Sequence, residues 1–279
     1  MTLARLDDVL AAAAADGGRA VGAFNVIQIE HAESLVAAAE RAGLPVVLQI
    51  SENCARYHHA LAPISLATIA IAERASVPCV LHLDHAESEA LVDEAVALGF
   101  TSVMFDASKL DDGANRRATR GVVERCHAAG VSVEAELGAI GGKDGVHAPG
   151  VRTDPDAAVA FVADTGVDAL AVAVGSSHAM TTRTATLDLA LVAAIHTVLP
   201  VPLVLHGSSG VSDGDLVAAV RAGMAKVNIA THLNVVFTAA MTDYLAAHPG
   251  VVDTRRYLGA ARDAVTDEAA RLLVMLALR

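Results

Sequence analysis

The feature that most constrains this chain is an alternation repeated eight times along its length. Short runs rich in β-branched residues lie at Ala20–Val26, Pro45–Ser51, Pro78–Asp84, Thr101–Asp106, Val131–Leu137, Ala169–Val174, Pro202–His206 and Ala225–Ile229. They are nearly continuously apolar, as strands of a parallel sheet covered by helices must be. Between them lie Ala-rich segments of helical period, such as His31–Ala42, Glu87–Leu98, Asp156–Thr165 and Asp213–Ala222. Several end in a glycine stop, at Gly43, Gly99, Gly130, Gly166 and Gly223. Eight units of roughly 35 residues predict an α/β fold, a (β/α)8 barrel in a single domain over residues 1–279. A preliminary helix over Leu3–Ala15, stopped by Gly17-Gly18, is placed to plug the barrel bottom. The competing doubly wound sheet calls for a GxGxxG turn after the first strand, and none is present.

Composition narrows the function classes. Hydrophobic residues make up 54% of the chain, enough for a large core and against disorder. A net charge of −12 argues against a nucleic-acid partner, so an anionic ligand has to be held locally by backbone amides or a metal. No apolar stretch reads as a membrane span, and acids rather than bases stand near the N-terminus. The expectation is a soluble cytoplasmic protein without a membrane partner. Cys54, Cys79 and Cys126 lack any CxxC spacing and read as buried small hydrophobes.

The ends of the runs carry the chemistry. In chain order they close in Asn25; Gln49 and Ser51; Asp84-His85; Asp106; Glu134 and Glu136; Gly175-Ser176-Ser177-His178; His206-Gly207-Ser208-Ser209-Gly210; and Asn228-Ile229-Ala230-Thr231. Polar residues at one end of nearly every strand are what a barrel active site requires. His85, His178 and His206 end three different strands. Three imidazoles suit Zn²⁺ and leave a fourth position open for catalysis. His82 stands two residues before Asp84, on the same face, and takes a supporting role behind the ligands. The other eight of the twelve histidines, including a surface-like His58-His59, carry no assignment. A barrel metal hydrolase would place an HxH pair after the first strand, where Phe24-Asn25-Val26 stands.

The Gly207–Gly210 segment can present consecutive N–H groups to an anion, and Asn228–Thr231 leads into a helix start near Thr231. A phosphate between strands seven and eight is the expectation. A metal beside a phosphate site and a carboxylate points to carbon-acid chemistry, in which the metal polarises a ketone and stabilises an enediolate. Asp84 is then the group that moves the partner hydroxyl's proton. Lys226 is the one candidate for a Schiff-base route, and a structural or electrostatic role fits it better.

These residues resemble the class II, zinc-dependent fructose/tagatose-bisphosphate aldolase family, nearly end to end. The resemblance rests on AFNV (23–26), LQIS (48–51), HLDH (82–85), VMFDAS (103–108), VEAELGAIGG (133–142), VDALAVAVGSSH (167–178), LHGSSG (205–210), KVNIAT (226–231) and DTRRYL (253–258). It implies a homo-oligomeric barrel, a homodimer or homotetramer, that cleaves a ketose 1,6-bisphosphate into dihydroxyacetone phosphate and an aldehyde phosphate. It also implies one Zn²⁺ per chain on His85, His178 and His206, with a monovalent cation as an additional candidate. By the same matching, Asp84 carries the proton and Glu136 is an accessory acid near the metal. Asn25, Ser51, Ala179, Gly207, Ser208, Ser209, Asn228, Ile229, Ala230 and Thr231 face the phosphorylated sugar.

Four departures from the family pattern stand out. Ala179 replaces a glycine; if the backbone there has positive φ, the exchange costs about 1 kcal/mol or more. Gly141-Gly142-Lys143-Asp144 is one residue shorter than the family's lid, so its acid is lost or moved to Asp144. Ala230 stands where the fructose branch has Asp, as in the tagatose branch. Asn234 replaces a cation three residues past Thr231; Arg255 or Arg256 either substitutes for it in gripping a distal phosphate or has a surface role. Weak discrimination between bisphosphorylated and 1-phosphorylated ketoses is the consequence. Other readings stay open: an aldolase for another 1-phosphoketose, a metal-dependent sugar-phosphate isomerase or epimerase, and a non-catalytic zinc or sugar-phosphate sensor.

Overall fold

The alternation closes into a ring. A computed structural model describes residues 3–137, 152–177 and 180–279. Its eight parallel strands pair in chain order, and the last pairs with the first. The strands are β1 (Val21–Asn25), β2 (Val46–Ser51), β3 (Cys79–Ala86), β4 (Ser102–Phe105), β5 (Ser132–Leu137), β6 (Ala169–Val172), β7 (Leu203–Leu205) and β8 (Met224–Ile229). The described helices are α1 (Leu6–Ala15), α2 (Ile29–Ala42), α3 (Glu52–Tyr57), α4 (Ala62–Ala72), α5 (Glu89–Leu98), α6 (Asp112–Ala128), α7 (Pro155–Thr165), α8 (Leu189–Val198), α9 (Asp213–Ala222), α10 (Thr231–Ala247) and α11 (Thr254–Leu276). Each expected strand is present within two residues at either end. Side-chain caps start several helices where the sequence changes character: Ser88, Asp154 and Ser212 each accept an N–H from the first turn.

Period-two alternation divides every strand between two environments. Outward residues such as Phe24, Leu48, Leu81, Val133, Leu170, Leu205 and Ile229 join the main core beneath the helices. Inward residues near the strand starts, Val21, Ala23, Val47 and Val80, form a separate cluster with Leu6, Val9 and Leu10 of α1. That helix plugs the bottom as expected, but it starts at Leu6 rather than Leu3. Arg5 just before it is extended, and Ala4 donates its N–H to the Cys79 carbonyl at 2.8 Å. All three cysteines are buried, without disulfide partners.

The barrel interior corrects one expectation. The strands are apolar throughout on the outside but only in part on the inside. Further up the inner face stand Gln49, His82, Ser102, Glu134 and Lys226, each 0% exposed. Register sets Gln49 beside His82, and His82 beside Ser102. Such a layer is tolerable only if its groups satisfy one another.

Candidate active site

The HLDH stretch solves a geometric problem. Neighbouring strand residues point to opposite faces, so Asp84 and His85 cannot both look into the barrel mouth from a regular strand. The pairing of β3 with β4 shifts between Leu83 and Ala86, and His85 adopts φ 49°, a left-handed conformation rare for a side chain with a Cβ. The bulge lets both residues line the same cavity. Strain of this kind costs on the order of 1–3 kcal/mol and is characteristic of functional sites.

Asp84 is 4% exposed and held from one side. Asn25 Nδ2 donates to its Oδ2 at 2.9 Å, and Gln49 Nε2 in turn donates to Asn25 Oδ1 at 3.2 Å. The other oxygen, Oδ1, is buried without a hydrogen-bond partner among the described residues. Burial alone would raise the Asp84 pKa, but His85 and His206 outweigh it and lower it, so the group is a carboxylate.

One donor group among the described residues has the spacing of a metal site. Ligand atoms of His85, Glu136 and His206 all lie within 4.8 Å of one another. Glu136 Oε2 is 3.8 Å from His85 Nδ1 and 3.6 Å from His206 Nδ1. Asp106 Oδ2 lies 3.6 Å from His85 Nδ1. Burial opposes a charged His206, yet Glu136 and Glu134 prevail and push its pKa up to about 10. The site stabilises positive charge strongly, whether a proton or a divalent cation carries it. Imidazole and carboxylate donors within reach of one another fit a zinc ion. Glu136, expected as an accessory acid near the metal, is thus a member of the donor group itself. His178, the expected third histidine, and Ala179 lie outside the described residues, as do Gly141-Gly142-Lys143-Asp144.

Beneath the donors lies the buried polar layer. Glu134 Oε1 is 2.9 Å from His206 Nε2, and its Oε2 accepts from Lys226 Nζ at 2.9 Å. Burial would raise the Glu134 pKa, but Lys226 and His206 pull it far below the usual carboxylate range. His82 Nδ1 meets Ser102 Oγ at 2.8 Å, and burial lowers the His82 pKa to about 3. It is a neutral supporting residue behind the ligands. Gln49 and Glu134 stand among the polar strand ends without a role of their own in the sequence, while Lys226, expected to be structural or electrostatic, is the cation that pairs with Glu134. Their signal is the i, i+2 spacing of Glu134 with Glu136 and of Lys226 with Asn228.

The opposite wall is neutral. Gly207 (φ 64°) leads into a short 3-10 turn, Ser208–Gly210, and Ser209 Oγ accepts the N–H of His232 at 3.1 Å. This strut ties the turn to the first residues of α10. The cavity measures about 390 Å³, and its lining includes Asn25, Ser51, Asp84, His85, Asp106, Gly207, Ser208, Ser209, Asn228, Ala230 and Thr231. Ile229, expected among the binding residues, is not part of that lining. It follows inward Asn228 on the strand, so its side chain points outward into the helix-facing core.

Arg255 is 88% exposed and paired with Asp253, and Arg256 is exposed. The one arginine in the described lining is Arg56 of α3, ion-paired with Glu52. His58, expected at the surface, is half-buried, with Nε2 2.7 Å from the Ile27 carbonyl.

Comparison with known proteins agrees with this geometry. The family profile described as "Fructose-bisphosphate aldolase class-II" matches residues 4–278. A fructose-bisphosphate aldolase of Geobacillus stearothermophilus is 40% identical over 253 residues, covering 89% of this chain and 88% of that one. A fructose-bisphosphate aldolase of Thermus caldophilus is 37% identical over 277 residues, with 90% of each chain covered. Among solved structures, the YdjI aldolase of Escherichia coli K12 superposes with a TM-score of 0.83 at 31% identity, over 99% of this chain and 97% of that one.

Proposed function

This chain belongs to the class-II fructose-bisphosphate aldolase family and is by that membership a ketose-bisphosphate aldolase, an aldehyde-lyase of carbohydrate metabolism; from that premise we propose how its own residues divide the work. The substrate is a ketose 1,6-bisphosphate of the fructose or tagatose type, cleaved reversibly to dihydroxyacetone phosphate and glyceraldehyde 3-phosphate. The family is generally zinc-dependent, and we assign one Zn²⁺ per chain to His85 and His206, with His178 as the third histidine and Glu136 beside them. A divalent ion there supplies a Lewis acid that polarises the sugar's ketone oxygen.

The observation that carries the reading is Oδ1 of Asp84, buried and without a hydrogen-bond partner among the described residues. Asn25 fixes the carboxylate through Oδ2, so the remaining lone pairs are available for one task. Asp84 accepts the proton of the C4 hydroxyl. The C4–O bond becomes a carbonyl, the C3–C4 bond breaks, and its electron pair passes to the ketone side. In the synthetic direction Asp84 returns that proton. Backbone N–H groups of Gly207–Ser209 and Ala230–Thr231, with the Asn228 amide, hold the 1-phosphate half without a formal positive charge. Ser51 and Asn25 face the aldehyde half. The acid that protonates C3 is assigned to the 138–151 segment.

We further propose a single catalytic domain, a homo-oligomer and a cytoplasmic setting, with no nucleic-acid partner. No described helix is long and apolar enough to cross a membrane. Triose phosphate released from a panel of ketose phosphates tests the function. Expected is cleavage of a ketose 1,6-bisphosphate, abolished by a chelator and restored by Zn²⁺ with the barrel still folded. Isomerised sugar without triose phosphate would show an isomerase or epimerase instead; sugar binding without turnover would show a sensor.

A further inference from the structure

We propose that Lys226 is a positioning residue that sets, from one buried ammonium, both the nitrogen His206 presents to the donor group and the amide edge Asn228 presents to the cavity. What those two edges hold rests on the function proposed above; their orientation does not.

Lys226 is 0% exposed and lies in β8, two residues before Asn228 on the same inward face. Its side chain reaches Glu134 of β5, on the far side of β6 and β7. The inner faces of those two strands carry small residues, Ala169, Ala171 and Val204, which form a cluster of their own. Lys226 Nζ donates at 2.9 Å to Glu134 Oε2 and at 2.9 Å to Asn228 Oδ1.

Donor and acceptor inventories then fix two orientations. An ammonium only donates, so the Asn228 atom turned toward it is the carbonyl oxygen. The NH₂ of Asn228 is left for the cavity that this residue lines, which makes it a donor to a substrate oxygen. A carboxylate only accepts, so the His206 nitrogen 2.9 Å from Glu134 Oε1 carries the hydrogen. Nδ1, the nitrogen on the Glu136 side, is then the one His206 turns to the donor group, and it becomes a lone pair when an ion takes the place of its proton. An apolar residue at 226 would leave Glu134 free to rotate and Asn228 free to flip.

The test uses Lys226→Met and, because that variant strands a buried carboxylate, the charge-neutral pair Lys226→Met/Glu134→Gln. Zinc affinity is read by chelator competition on the folded enzyme, and KM and kcat are read for a ketose 1,6-bisphosphate. Expected for the neutral pair is a cooperative melt, zinc affinity about 10- to 100-fold weaker, and KM raised about tenfold or more. The KM effect should vanish when the same changes are made in an Asn228→Ala background, while the zinc effect persists. Zinc affinity and KM within twofold of the parent would overturn the proposal. A KM effect fully additive with Asn228→Ala would also overturn its Asn228 half. If the parent enzyme shows no cleavage, the proposed function fails, while the zinc measurement still decides the His206 half.

Discussion

The two walls of the barrel mouth hold charge by opposite means. Along β3 to β5 the side chains are ionic: Asp84, His85, Asp106, Glu134 and Glu136 crowd together, and most are buried. Removing such groups from water costs several kcal/mol each and is tolerable only because each has a partner of opposite character. Across the mouth, Gly207, Ser208, Ser209, Ala230 and Thr231 carry no formal charge. In a chain of net charge −12, backbone dipoles are what this wall has to offer an anion against the repulsion of the overall field. One wall answers to charge and proton position, the other to the path of the backbone. Deleting an ionisable group should therefore break the first, and adding a methyl group the second.

The largest effect is expected at Asp84. Asp84→Ala removes a buried carboxylate oxygen, Oδ1, that has no hydrogen-bond partner among the described residues, and should lower kcat by roughly 10²- to 10⁴-fold. Zinc content by metal analysis and KM for the 1-phosphate half should stay near the parent. Loss of zinc in parallel with kcat would mean that Asp84 acts by holding His85, and the two roles of HLDH would merge.

Gly207→Ala comes next and probes whether the walls are separable at all. The residue has φ 64°, and an added Cβ would lie 2.6 Å from the carbonyl carbon of Ser177 and 2.8 Å from its nitrogen. Left-handed backbone with a Cβ costs about 1–2 kcal/mol before the clash is counted. Because Gly207 joins His206, the proposed metal ligand, to the turn proposed to hold the phosphate, KM should rise about 10- to 100-fold and zinc affinity should fall with it. A KM change with zinc affinity untouched would show that the walls are independent after all.

The sequence is most transparent where one physical demand acts alone. Eight apolar runs and their helical spacers specify the barrel because covered parallel strands must be apolar on the face beneath the helices. Strand-end polarity marks the mouth for a similar reason. The buried layer is harder to read, since Gln49, Glu134 and Lys226 alternate with apolar neighbours: Leu48 and Ile50, Val133 and Ala135, Ala225 and Val227. Ile229 is a further case: the strand persists through 229 and turns that side chain outward, which leaves a binding role there to the backbone alone. The bulge at His85 has no local signal, because a histidine at positive φ is imposed by the surrounding pairing and not by its own preference.

The smallest effect at neutral pH is expected beside α10, whose start forms part of the neutral wall. His31 of α2 is 4% exposed and stacks on Phe237 of α10, with ring centroids 4.8 Å apart and planes inclined by 19°. Neither ring nitrogen has a hydrogen-bond partner among the described residues, and burial lowers the pKa from 6.5 to about 4. The folded state thus favours neutral imidazole. Its contribution is complete above pH 6.5 and is lost as pH falls toward 4, because the unfolded chain takes up the proton first. Over that window the loss is on the order of 3 kcal/mol. His31→Phe keeps a stacked ring and removes the titration. With both proteins stripped of metal, their unfolding free energies should run parallel above pH 7. The variant should gain on the parent by up to about 3 kcal/mol by pH 4. Curves that stay parallel down to pH 4 would mean that His31 finds a proton-sharing partner in the folded state, and α10 would then be braced by a polar contact instead of a stacked one.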